Sequence, residues 1–164
     1  MASVLADEQI ARYHRDGYLV VEDFVSAESR AALRQRANEI VSDFHPRRAS
    51  VFTTNEQDRV SDGEFLSSGD AIWCFFEEAF GPDGELRQPK ELSINKIGHA
   101  MHDLDDVFET FSYTPDLAGV AADIGLGDAL ALQSMYIFKQ PHIGGEVGCH
   151  QDATFLYTLS LIHI

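Results

Sequence analysis

The triplet His150-Gln151-Asp152 offers an imidazole and a carboxylate two residues apart. On an extended chain, alternation sends both side chains to one face, so two metal ligands converge there. Joined by a second histidine from elsewhere, such a pair makes the facial triad that holds non-haem Fe(II). Three coordination positions then stay open, enough for a chelating cosubstrate and dioxygen. A bare His-x-Asp triplet is a weak signal, because a surface turn gives the same letters, so its neighbours must carry the reading. His99, His102 and His142 have no spacing that defends them as ligands, and each is expected to be a polar surface or hydrogen-bonding residue. Trp73-Cys74-Phe75-Phe76 is read mostly as packing.

The elements that must position the triplet can be traced from the first residues. Asp7 to Arg15 reads as a short helix closed at Asp16-Gly17, since glycine takes the left-handed conformation a helix end often needs. A strand is expected at Tyr18 to Val21. Ser26 suits the N-cap of a second helix, whose apolar residues Leu33, Ala37, Ile40, Val41 and Phe44 recur at helical spacing until Pro46. Arg47 to Glu64 is polar and aperiodic, a connecting loop. Ser67-Ser68-Gly69-Asp70 forms a turn between the apolar pieces Phe65-Leu66 and Ile72 to Phe76, which suits a hairpin. Gly81-Pro82-Asp83-Gly84 is a second turn, and Ser93 to Ile97 a strand. Asp103 to Phe111 and Pro115 to Ile124 read as short helices, the latter ended by Gly125 and Gly127. A buried strand is expected over Leu130 to Phe138, a break at Gln140 to Gly145, and a last strand over Val147 to Thr158 that carries His150 and Asp152 near its start. Helices first and strands last is an α+β order.

The wider pattern around the triplet resembles the phytanoyl-CoA dioxygenase family. It comprises Gln133 to Lys139, Gly144-Gly145-Glu146, and His150-Gln151-Asp152-Ala153-Thr154-Phe155-Leu156. The likeness extends upstream through Ile94-Asn95-Lys96-Ile97-Gly98-His99-Ala100, Phe65 to Phe76, and Tyr13 with Asp16 to Val20, covering nearly all of residues 8 to 158. Many members place Trp or Pro before the iron histidine, where this chain has Cys149. The resemblance implies a double-stranded β-helix, the cupin-like jelly roll, preceded by helices. It also implies that His150 and Asp152 bind Fe(II), and that Lys96 and Met135 contact 2-oxoglutarate. A lysine cation can pair with that dicarboxylate, and a thioether makes an adaptable apolar wall beside it. Without the resemblance, Lys96 would be a solvated charge at a strand edge and Met135 core filler. The implied reaction hydroxylates a C–H bond of a small-molecule substrate with dioxygen while 2-oxoglutarate is decarboxylated to succinate.

A complete enzyme of this type continues beyond the His-x-Asp strand to a second iron histidine and an arginine for the far carboxylate of 2-oxoglutarate. His163 follows Asp152 too closely to stand in for a ligand from a later strand. Leu159-Ser160-Leu161-Ile162-His163-Ile164 matches one reading frame of a transposon-derived sequencing adapter end. Residues 1–158 are therefore expected to be the N-terminal portion of a single dioxygenase domain, incomplete as an active site, with 159–164 a non-native tail.

Composition sets outer limits. A chain of 164 residues, 45% of them hydrophobic, suffices for one core. Lys and Arg total 12 against 27 Asp and Glu, and the formal charge of -15 opposes nucleic-acid or anionic-membrane binding. The same charge sits awkwardly with a CoA-ester substrate. Cys74 and Cys149 stand in unrelated contexts, which suggests reduced thiols. The first ten residues lack a basic signal region, and no apolar run approaches the roughly 20 residues needed to span a bilayer. A cytoplasmic monomer is expected. Two other readings compete with the dioxygenase: a binding or regulatory module on the same fold that has lost catalysis, and a metal-dependent hydrolase needing neither 2-oxoglutarate nor dioxygen.

Overall fold

A computed structural model describes residues 3–45, 67–77, 85–144 and 147–150. Helix α1, Asp7–Asp16, carries acids in its first turn and ends at Gly17, whose φ of 79° is the left-handed cap expected of a glycine. Helix α2, Ala27–Asp43, starts where the Ser26 hydroxyl accepts the Ser29 amide at 3.0 Å. Its last turn has no basic residue of its own. Lys90, from a 3-10 turn at Lys90–Leu92, reaches across to donate to the carbonyls of Ser42 and Phe44 at 2.8 and 2.9 Å. A cation there satisfies acceptors that the helix end leaves open.

Three strands follow: β1 Ile72–Phe76, β2 Ile94–His99 and β3 Ser134–Ile137. They form one antiparallel sheet in the order β1-β2-β3, so β2 is central. Between β2 and β3 lie α3 Met101–Leu104, α4 Asp106–Ser112 and α5 Pro115–Asp123. The sheet packs its inner face on α2 and α4. Ala37 and Val41 meet Cys74, Phe76, Ile94, Ile97, Met101 and Phe108 there, with Leu33, Ile40, Phe44 and Tyr136 at the margin. The apolar stripe anticipated on α2 is thus the helix's buried side.

Several expectations change. Tyr18 to Val21 is not a strand; Tyr18 and Val20 are largely exposed. β-Favouring residues form a strand only where a ladder partner stands alongside, and among the described residues none does. Asp103 to Phe111 is not one helix. Asp105 interrupts it with extended φ and ψ of -129° and 117°, its carboxylate accepting the amides of Val107 and Phe108 to begin α4. The strand expected over Leu130 to Phe138 is only its second half, and Leu130 and Leu132 are about four-fifths exposed, at 82% and 81%. The loop 47–64, the segment Phe65-Leu66, the turn Gly81 to Gly84 and most of Val147 to Thr158 lie outside the described residues. Helices on one side of a small antiparallel sheet make the α+β arrangement expected.

Candidate active site

Lys96 stands in the middle of the central strand, opposite Phe75 of β1 and Ile137 of β3. Its neighbour Ile97 points the other way and is fully buried in the core. Lys96 therefore projects from the opposite face, yet only 5% of it is exposed. The ammonium lies 5.4 Å from the centre of the Phe75 ring and 3.7 Å from the Met135 sulfur. Met135 pairs with Gly98 of β2, which places it on the same face as Lys96. The strand-edge reading of Lys96 does not survive this placement. Nor is Met135 core filler, since 45% of it is exposed. The structure brings together the two residues that the sequence comparison linked to one cosubstrate.

Two further residues join that face. His99 is buried, its ring 5.4 Å from Phe75, and its Nδ1 lies 2.9 Å from the hydroxyl of the buried Ser68. Burial pushes the His99 imidazole below its ordinary pKa and the Lys96 charge pushes it the same way, while a hydrogen bond to the Ser68 backbone opposes both. Sequence reasoning missed this pair because neither Ser68 nor His99 carries a ligand-type spacing; the signal available was the turn Ser67 to Asp70 delivering a hydroxyl beside β1.

A lysine ammonium can make a charge-assisted bond to a carboxylate. The soft wall of Phe75 and Met135 suits the methylene chain of a small dicarboxylate. These residues therefore fit the anionic half of a 2-oxoglutarate site.

His150 is exposed, with Nδ1 2.9 Å from the Gly148 carbonyl. A carbonyl only accepts, so Nδ1 donates the proton of that bond. Metal-binding histidines commonly make that kind of bond, which fixes their tautomer. Asp152 lies outside the described residues, so the expected His150 and Asp152 pairing does too. Among the described residues no three His, Cys, Asp or Glu side chains gather as a metal site. His102 is a buried hydrogen-bonding residue, as expected of a non-ligand, and His142 is exposed. Cys74 and Phe76 belong to the core, whereas Phe75 is buried against Lys96, so the Trp73 to Phe76 run serves both packing and site.

The sequence profile of Phytanoyl-CoA dioxygenase (PhyH) matches residues 13–163. The chain belongs to this family. Among its relatives, Phytanoyl-CoA dioxygenase 1 of Oryza sativa subsp. japonica is 48% identical over 158 residues, covering 96% of this chain and 56% of the relative. Phytanoyl-CoA dioxygenase of Arabidopsis thaliana is 46% identical over 155 residues, 94% of this chain and 55% of the relative. The phytanoyl-CoA dioxygenase domain-containing protein 1 of Bos taurus is 44% identical over 161 residues, again 94% and 55%. This phytanoyl-CoA dioxygenase-family chain thus spans about half the length of the curated relatives it matches. Among the described residues, no helix is long and apolar enough to cross a membrane.

Proposed function

We propose that this chain is the N-terminal portion, residues 1–158, of an Fe(II)- and 2-oxoglutarate-dependent dioxygenase built on a jelly roll, with 159–164 a non-native tail. One observation supports the reading above the rest: a lysine buried on the central strand with its ammonium against a thioether. Lys96 binds a carboxylate of 2-oxoglutarate, and Met135 and Phe75 line the methylene chain and keep water from the ammonium. His99, whose pKa burial and the Lys96 charge both lower, lies beside Phe75 on the same face. His150 and Asp152 supply the imidazole and carboxylate that hold Fe(II). When bound, iron and 2-oxoglutarate supply the oxidising chemistry, in which dioxygen is consumed, succinate is released and a C–H bond of a small-molecule substrate is hydroxylated. A cytoplasmic monomer is part of the proposal, and the acidic composition weighs against nucleic-acid and anionic-membrane partners.

The test begins with the native transcript read past the codon for Thr158. The expected frame continues to a distal histidine and arginine, and its product forms succinate from 2-oxoglutarate in the presence of Fe(II) and dioxygen. His150→Ala and Asp152→Ala should abolish that turnover. A native stop after Ile164, or metal-dependent hydrolysis that needs neither 2-oxoglutarate nor dioxygen, would overturn the proposal.

A further inference from the structure

Which side chain of β3 faces Lys96 depends on strand register, and burial specifies that register weakly. None of the four residues of β3 is fully buried, and Met135 and Ile137 are about half exposed. The approach through Leu130 and Leu132 is more exposed still. Side chains alternate along a strand, so a slip of one residue would exchange the two faces. Tyr136, which now packs near Phe108 and Phe138 at ring distances of 6.2 and 5.1 Å, would then turn toward Lys96. Met135 would turn into the core.

Polar contacts hold the start of β3 instead. His102 of α3 is buried and spans two points of the incoming chain. Its Nε2 lies 3.0 Å from the Ala131 carbonyl and its Nδ1 3.0 Å from the Ser134 hydroxyl. The carbonyl can only accept, so Nε2 donates to Ala131, and Nδ1 shares the second bond with the Ser134 hydroxyl, which also lies 3.4 Å from the His99 carbonyl. The same hydroxyl accepts the His102 backbone amide at 3.1 Å. Ser134 is the β3 partner of His99, and the next residue is Met135. The bonds grip two residues three apart, so a one-residue slip would break both side-chain contacts together.

We propose that His102 is a positioning residue that pins the register of β3 through Ala131 and Ser134, so that Met135 and not Tyr136 faces Lys96. Its consequence for 2-oxoglutarate rests on the function proposed above; the register itself does not. The imidazole binds no ligand in this role. It acts by fixing which side chain walls the Lys96 site.

The experiment compares the wild-type chain with His102→Ala, His102→Asn and Ser134→Ala. Nuclear Overhauser contacts between the Met135 methyl and the Lys96 side chain report the register, and those of Ala37 and Val41 with Ile97 report the core. Titration with 2-oxoglutarate reads the consequence. The expected result is that His102→Ala keeps the core contacts, loses the Met135–Lys96 contact and binds 2-oxoglutarate about tenfold more weakly, a loss of one to two hydrogen bonds. His102→Asn, whose amide oxygen can accept from Ser134, should restore much of both; a generic packing defect would not be rescued by so small a side chain. Retention of the Met135–Lys96 contact in His102→Ala would overturn the proposal. The 2-oxoglutarate titration uses the full-length product of the native frame; should that wild-type protein bind none, the functional reading fails and the Overhauser contacts alone decide the register. Should His102→Ala not fold, Ser134→Ala, which leaves the Ala131 bond in place, is judged by the same contacts.

Discussion

Replacing Lys96 by methionine separates the lysine's charge from its volume. A thioether chain fills similar space against Phe75 and Met135, so the face keeps its shape and loses only the cation. Two consequences follow from the geometry. First, a 2-oxoglutarate carboxylate would lose a charge-assisted bond worth about 1.5–3 kcal/mol, which weakens binding about 10- to 150-fold. Second, His99 would lose the second of the two effects that hold its pKa down, since Lys96 acts there after burial itself. Its titration should move upward toward the ordinary histidine value of about 6.5, and burial should stop it short. Isothermal titration with 2-oxoglutarate reads the first effect and the pH dependence of the His99 ring-proton resonances the second, on the same sample. The second serves as an internal control that the charge has been removed from the right place. An upward His99 shift with unchanged 2-oxoglutarate affinity would refute the argument, because the cation would then be present on this face without serving the cosubstrate.

Further outcomes follow from other features. A histidine whose pKa is lowered on folding binds fewer protons in the native state between its folded pKa and about 6.5, so stability falls as pH drops through that window and then levels off. Denaturant midpoints measured from pH 7.5 to 4.5 should show this loss, and His99→Asn should reduce it. Burial raises the Cys74 thiol to about 12, whereas Cys149 is exposed; a thiol reagent at pH 8 should modify Cys149 at once and Cys74 only on unfolding, and two equally fast thiols would contradict the packing of β1. Gly144 has a φ of 125° and would place a Cβ 3.4 Å from the Glu77 carboxylate. Gly144→Ala should therefore cost roughly 1–3 kcal/mol in chemical denaturation, whereas an unchanged midpoint would show that the turn relaxes freely.

Local signals in the sequence were legible wherever the cause lies within a few residues. Gly17 ends α1 and Ser26 begins α2 as their side chains dictate, and the apolar spacing of Leu33 to Phe44 marks the face that α2 buries. Lys96 and Met135 were picked out by family resemblance, and their contact across β2 and β3 is visible only in three dimensions. What the sequence hid depends on partners far along the chain. Tyr18 to Val21 has strand-forming residues and no ladder partner among the described residues, and Asp103 to Phe111 has helical spacing that Asp105 breaks because its carboxylate serves Arg36 as well as the following amides. Burial of Ser68 and His99 likewise could not be read from residue type, since both are ordinary surface residues until the turn and the strand are brought together.

Asp105 divides its two oxygens between different tasks. One takes the amides of Val107 and Phe108, a local matter, while the other meets the Arg36 guanidinium at 2.6 Å, 69 residues earlier. A single buried carboxylate is therefore a joint between helix initiation and tertiary docking. If α2 lifts away, the carboxylate is drawn toward water and the first turn of α4 loses its cap as well. The amides of Val107 and Phe108 should then exchange with solvent at a rate set by the undocking of α2, not by fraying of a seven-residue helix. Two protons at the start of a short helix thus serve as a clock for how often the protein undocks the longest of its described helices.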